Sequence, residues 1–256
     1  HAQGFDEEGL RRGVEYVATA WIGNRPADRI SQRPVPRVAN FGDCAAFFRP
    51  SADLLLSLAA RHRDALARWL FDRLYGDPSQ EAVGGGLSGT YTRLSYLGFL
   101  RLPDAPAGAP PELERARRFD NGNMFLRDAV AEPVTFVAIR GYATPRLSAH
   151  THADFGTFIL AHRGEILLAD PGHSCYRSAL FQLHDRSTSY HNVWTFDDES
   201  GSHEQAPQSY YAAVEDGRVR AGTPGRALCT FDAPTGIFAA ATALEKAYPQ
   251  GIAAAG

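Results

Sequence analysis

The chain has 256 residues, of which 44% are hydrophobic and 21% are charged. This composition is typical of a globular protein and predicts one large domain or two smaller ones. The net charge of −3 argues against nucleic acid as the main partner, because a phosphate-tracking surface normally carries a basic excess. No apolar run approaches the length of a membrane span. The chain begins at His1 without a start methionine, so we expect it to be a piece of a longer protein.

The first third of the sequence predicts helices. Apolar residues recur at three- and four-residue spacings over Glu7–Ile22, which indicates an amphipathic helix. A second helix is predicted to begin after Ser51 as its N-cap and to stop at Gly76. Prolines indicate a loop over residues 23–40 and a linker over residues 103–114.

The pattern changes after Phe119, where short runs rich in Val, Ile, Phe and Thr alternate with turns. The predicted strands are Asn123–Asp128, Val134–Arg140, Gly156–His162, Glu165–Ala169, Val193–Phe196, Tyr210–Val214 and Leu228–Phe231. Such strands are typical of an antiparallel sheet domain, most simply a sandwich. The sequence therefore predicts an α+β multidomain fold, helices first and sheets second, with a boundary between about Pro103 and Phe119.

Histidines are concentrated in the predicted sheet region. His150 and His152 are two residues apart, so in an extended segment their side chains project from the same face. Asp170 lies at a turn beyond the next two predicted strands, and His191 precedes Asn192 and a further strand. Two imidazoles and one carboxylate from neighbouring strands would form a zinc site with three protein ligands and an open fourth position.

A cupin-type metalloenzyme is an alternative interpretation of the histidine pair. Cupins follow their HxH motif with a metal-binding Glu three to five residues later. Here those positions are Phe155, Gly156 and Thr157. A cupin also leaves the helical first third unexplained.

Three motifs resemble those of the heparinase II/III-like polysaccharide lyases, which include alginate lyases. They are HTHADFGTF at 150–158, GEILLADPG with a following tyrosine at 164–176, and YHN at 190–192. FGDC at 41–44 and FDNGNMFLRD at 119–128 are weaker landmarks. The resemblance implies the C-terminal part of an (α/α) toroid at 1–115, followed by an antiparallel β-sandwich at 116–256. It also implies a bacterial protein that is periplasmic or secreted.

The resemblance also implies site residues. The zinc of the family would be held by His152, Asp170 and His191. His150, Tyr176 and Arg186 are the implied catalytic residues, with His150 facing the substrate cleft and Arg186 available to a uronate carboxylate. The implied substrate-binding residues are His1, Glu8 and Asn192.

The implied reaction is β-elimination on a uronic acid, so the expected partner is an acidic polysaccharide or oligosaccharide. A base removes the C5 proton, and an acid protonates the departing O4. Family members complete the site with a tyrosine of the helical domain, but residues 17–74 contain no tyrosine. Tyr16 and Tyr176 are the candidates to replace it. The alternative is a non-catalytic glycan-binding or exopolysaccharide-assembly protein.

Overall fold

The computed structural model has mixed helices and antiparallel sheets. It describes residues 6–25, 35–44, 49–75, 106–109, 112–141, 152–199, 201–205, 213–215, 218–220, 227–244 and 247–248. The chain divides into two compact units. The first comprises His1–Val38, Phe47–Glu114 and Ala129–Pro133, and the second comprises Ala39–Ala46, Arg115–Asp128 and Val134–Gly256. In the described part of the chain, no helix is both long and apolar enough to cross a membrane.

The first unit begins with helix α1, Glu7–Thr19. The Asp6 carboxylate accepts the Gly9 N–H at its start, as an N-cap does. The prediction that this helix continues to Ile22 is wrong, because Trp21 begins strand β1, Trp21–Arg25, which pairs antiparallel with β2, Val35–Val38. Trp21 and Ile22 are buried as residues of a strand and not of a helix. The predicted loop over residues 23–40 therefore contains strand residues as well.

The predicted second helix is two helices, α2 at Ala52–His62 and α3 at Ala65–Tyr75. Ser51 is the N-cap of α2, as predicted. Arg63 adopts a left-handed conformation with φ of 49° and ends α2. The Asp64 carboxylate then accepts two backbone N–H groups of the first turn of α3, which explains the restart. Buried leucines of both helices form the apolar core of this unit with Trp21 and Trp69.

The second unit is built on a five-stranded antiparallel sheet in the order β3-β4-β5-β6-β7. Its strands are Ala116–Arg118, Asn123–Arg127, Thr135–Arg140, Phe158–His162 and Glu165–Leu168. All five residues of β4 are buried, and Phe125 of β4 packs against Phe136 of β5 with ring centroids 6.1 Å apart. β4 and β5 thus pack together within the sheet that carries the candidate site.

Three two-stranded antiparallel pairs complete the described strands of this unit. The pairs are β8–β9 (Phe196–Asp198 and Gly201–His203), β10–β11 (Ala213–Glu215 and Arg218–Arg220) and β12–β13 (Ala227–Asp232 and Ile237–Thr242). Sequence patterning missed β3, β9, β11 and β13. Residues 169–195 connect β7 to β8 and contain short helical turns at Phe181–Asp185 and Thr188–Tyr190. This connection supplies most of the side chains of the candidate site.

Candidate metal centre and its surroundings

His152 lies six residues before β6 and is only 1% exposed. Neither of its ring nitrogens has a hydrogen-bond partner among the described residues. Burial, reinforced by the neighbouring His191, lowers the pKa of His152 to about 4. The side chain is therefore a neutral imidazole at physiological pH. A buried polar group without a partner is costly, so an imidazole buried in this way among the described residues is a candidate ligand for a cation.

His191 is held in one orientation by contacts on both ring nitrogens. Its Nε2 lies 3.0 Å from the Asp185 carbonyl oxygen, and its Nδ1 lies 2.9 Å from Oδ2 of Asp170. A carbonyl only accepts hydrogen bonds, so Nε2 carries a proton and Nδ1 is the nitrogen directed at Asp170. Burial opposes the charged imidazole, but the hydrogen bond to Asp170 and nearby carboxylate charges outweigh it and raise the pKa of His191.

Asp170 sits in the turn just after β7, and its side chain is fully buried. Its Oδ1 accepts the backbone N–H groups of Gly42 and Gly172, each at 3.1 Å. Its Oδ2 accepts the Thr157 hydroxyl at 3.2 Å and faces His191. These contacts fix the carboxylate: Oδ1 accepts two backbone N–H groups, and Oδ2 faces His191.

A second buried carboxylate, Asp154, lies beside the same histidines. Candidate ligand atoms of His152, Asp154 and His191 all lie within 4.8 Å of one another. The Asp154 side chain is fully buried, and its Oδ2 forms an ion pair with Nη1 of Arg140 at 2.5 Å. Burial raises the pKa of Asp154 to about 6, although the Arg140 charge acts in the opposite direction. The cluster thus contains two histidines and two carboxylates, one of which already has a cationic partner.

Of the predicted metal ligands, His152 and His191 lie in one group of candidate ligand atoms with Asp154, and Asp170 adjoins this group through His191. The ring centroids of His152 and His191 are 5.3 Å apart, and His191 contacts Asp170 directly. Nitrogen and carboxylate donors in this number are the set that zinc uses when three protein ligands hold it. The Asp185 carbonyl that orients His191 is the kind of outer contact that metal-binding imidazoles usually make.

Tyr176 lies near this cluster and is 47% exposed. Its hydroxyl donates to Oδ1 of Asp43 at 2.9 Å. Its ring stacks on His173 and meets Phe181 edge to face, and Phe181 in turn packs against His152. The predicted catalytic tyrosine is thus connected to His152, a predicted metal ligand, through Phe181.

The other predicted site residues are placed as follows. Arg186 is half-buried in the connection after β7, where its carbonyl accepts the Ala153 N–H at 3.0 Å. Asn192 donates its side-chain N–H groups to the carbonyls of Phe158 and Ala169, which ties the connection to both strands of the β6–β7 hairpin. Its role in substrate binding stays a prediction.

Glu8 lies on α1 of the first unit, where it pairs with Arg12. His1 and His150 fall outside the described residues. The substrate-binding and catalytic roles of these three residues stay predictions.

Sequence reasoning missed Asp43, Arg140 and Asp185 as neighbours of the site. Asp43 is 133 positions from its partner Tyr176, and spacing rules do not reach that far. In the sequence, Arg140 is recognisable only as the last residue of a predicted strand. Asp43 had one available signal, because FGDC at 41–44 already resembled a family landmark.

A sequence profile described as heparinase II/III-like, C-terminal, matches residues 112–232. A search of curated protein sequences found no match. Among solved structures, the crystal structure of heparinase III is 12% identical with a TM-score of 0.40, covering 87% of this chain and 31% of that chain.

Two further solved structures are of heparan sulfate lyase HepC from Pedobacter heparinus. The mutant is 15% identical with a TM-score of 0.34, covering 66% of this chain and 27% of that chain. The other HepC structure is 15% identical with a TM-score of 0.33, covering 69% and 26%. The chain thus spans less than a third of the length of each of these structures.

Proposed function

We propose that this chain, whose residues 112–232 match the heparinase II/III-like C-terminal family model, is part of a polysaccharide lyase that cleaves uronic-acid-containing polysaccharide by β-elimination. The observation that carries the proposal is the buried cluster of His152, Asp170 and His191 with Tyr176 exposed beside it. We further infer that the helices belong to an (α/α) toroid and that the sheets form a sandwich. A periplasmic or secreted bacterial location accompanies this proposal.

We propose that His152, Asp170 and His191 hold a zinc ion. His152 supports this assignment because both its nitrogens are buried without a hydrogen-bond partner in the described part of the chain, and its imidazole is neutral above about pH 4. Nδ1 of His191 is directed at Asp170 while Nε2 is tied to a carbonyl. Asp154 is the poorer ligand, because the Arg140 guanidinium at 2.5 Å already neutralises it and repels a cation. When bound, the ion supplies a fixed positive charge that organises the loops around it.

The reaction requires three tasks of the protein. The uronate carboxylate needs cationic or hydrogen-bonding partners, which lower the cost of charge building up when the C5 proton leaves. A base must then reach C5, and an acid must reach the departing O4. Arg186 is proposed to bind the carboxylate, while His150 and Tyr176 are proposed to carry the proton transfers. Tyr176 suits this task because its ring stacks on His173 and meets Phe181 edge to face, while nearly half of its surface remains open to a ligand.

The expected partner is an acidic polysaccharide. Its repeated carboxylates match the arginine-dominated basic residues of this chain, which include only one lysine, Lys246. Arginine binds carboxylates through a planar fork of donors, which makes it better suited than lysine to this recognition.

The test is ultraviolet absorbance of the unsaturated uronate product. The protein that contains this chain should be incubated with heparan sulfate, alginate and other uronate polymers. We expect product from at least one of them, lost in Tyr176→Phe but retained in the matched control Tyr190→Phe, whose tyrosine is similarly exposed in the same connection. Binding without product across the whole panel would contradict a lyase and favour the glycan-binding or assembly function.

A further inference from the structure

Asp43 is a buried carboxylate at the edge of the candidate site, and neither the metal cluster nor the proposed proton transfers use it. Its side chain is 1% exposed. Oδ1 of Asp43 accepts the Tyr176 hydroxyl at 2.9 Å, and Nε2 of His173 lies 3.9 Å from the same oxygen. Burying a carboxylate is unfavourable unless donors surround it, and the Tyr176 hydroxyl is one of the donors that Asp43 accepts.

The backbone around Asp43 is held on both sides. The Gly42 N–H donates to Oδ1 of Asp170 at 3.1 Å. Gly42 has φ of +59°, and a Cβ there would collide with the Arg140 guanidinium and lie 2.9 Å from Oδ2 of Asp154. Position 172 also excludes a Cβ, because it would lie 2.7 Å from the Cys44 carbonyl oxygen. The segment is therefore fixed against the same Asp170 that is proposed to bind metal.

The ring of Tyr176 is held as firmly as its hydroxyl. It stacks on His173 with centroids 5.0 Å apart and planes 9° from parallel. It meets Phe181 at 4.8 Å and 82°. Since Tyr176 is 47% exposed, these contacts hold an accessible phenol ring in one position.

We propose that Asp43 is a positioning residue for Tyr176, a buried carboxylate that accepts the phenol hydrogen and holds the hydroxyl at the candidate site. The hydrogen bond itself stands apart from the proposed function, whereas its consequence for turnover rests on that function. Desolvation, the hydrogen bond to Asp43 and the Asp43 charge all raise the pKa of Tyr176. Tyr176 therefore meets a bound saccharide as a neutral phenol with its oxygen in a fixed place.

The direct test is the titration of Tyr176 by NMR in protein labelled with ¹³C at the tyrosine ring, with Tyr176→Phe assigning the resonance. We expect Tyr176 in the wild type to titrate above the ordinary phenol value of about 10. In Asp43→Asn it should titrate closer to that value. The control is Asp198→Asn, which removes a carboxylate that is 58% exposed and paired with His203, and it should leave Tyr176 unchanged.

Two results would overturn the proposal. One is a wild-type pKa of Tyr176 at the ordinary phenol value. This measurement does not require the Asp43→Asn variant to fold. The other is an unchanged Tyr176 titration in Asp43→Asn. Both results are read without turnover, so they are distinguishable from a failure of the lyase proposal.

Turnover supplies a second measurement on any uronate polymer that the wild type cleaves. Asp43→Asn should lower kcat on the order of tenfold to a hundredfold with little change in KM, because misplacing a reacting group by about 1 Å has effects of this size. Its zinc content should match that of the wild type. An unchanged kcat would contradict positioning, and lost zinc would show that Asp43 acts through the metal instead.

Discussion

Replacing His152 by leucine should change stability in opposite directions with and without metal. In the metal-free protein, His152 buries two ring nitrogens that have no partner among the described residues. Each unpaired buried polar atom costs about 1–3 kcal/mol, and a swap of similar volume usually costs under about 1.5 kcal/mol. We therefore expect His152→Leu to be neutral or to stabilise the metal-free protein by about 1–2 kcal/mol.

With zinc bound, we expect the wild type to be more stable than His152→Leu. A ligand present at about 1,000 times its Kd stabilises the folded state by about 4 kcal/mol. The wild type should gain this amount, whereas the variant retains two protein ligands and should gain far less. His152 should thus destabilise the metal-free protein and stabilise the zinc-bound protein.

Folding stability should also depend on pH through the pKa of His152. His152 has its pKa lowered from 6.5 to about 4, chiefly by burial. Between these values the unfolded state binds the proton and the folded state does not, so this group reduces stability as pH falls through the window. The loss approaches on the order of 3 kcal/mol near the lower end. The variant lacks this contribution, so its advantage over the metal-free wild type should grow as pH falls from about 6.5 to 4.

The assay is urea unfolding of both proteins in a chelator and in zinc, at several pH values. A variant destabilised by the same amount in chelator and in zinc would refute the reasoning, because His152 would then act only through packing. A wild type that gains no stability from zinc would refute it as well.

Three further substitutions test the geometry through urea unfolding. Gly42→Ala should cost at least about 2 kcal/mol more than Gly236→Ala, because both have positive φ but only at position 42 would the added methyl meet buried side chains; equal losses would contradict the close approach. Asn192→Ala should cost about 1–3 kcal/mol, since its amide donates to two backbone carbonyls; a loss below about 0.5 kcal/mol would mean that solvent replaces both bonds. Gln205→Ala should cost about 2–4 kcal/mol, because this buried amide bonds both backbone groups of Phe155; an unchanged midpoint would show that the pair is dispensable.

The histidines of the site were predictable because their signal is local. The HxH pattern and the His-Asn pair each lie within three residues, and Asp170 follows a predicted strand at a turn. Asp43 and Arg140 were not predictable in the same way. Asp43 contacts Tyr176 across 133 positions and Arg140 contacts Asp154 across 14, and strand or helix periodicity encodes neither contact.

The helical third shows the limit of periodicity in a different way. The apolar spacing of Trp21 and Ile22 fits a helix, yet pairing with β2 buries both residues as a strand. The break at Arg63 had a local signal, because Asp64 is a good N-cap residue. The break was not predicted because leucines continue at helical spacing through both α2 and α3.

Metal content is the most direct test of the central claim, which is that the buried histidine cluster is a zinc site. Protein purified without chelator should be analysed by elemental mass spectrometry as wild type, Asp170→Asn and the exposed-carboxylate control Asp198→Asn. We expect about one zinc per chain in the wild type and the control, and a large loss in Asp170→Asn. Equal zinc in all three proteins, or none in the wild type after dialysis against zinc, would contradict it.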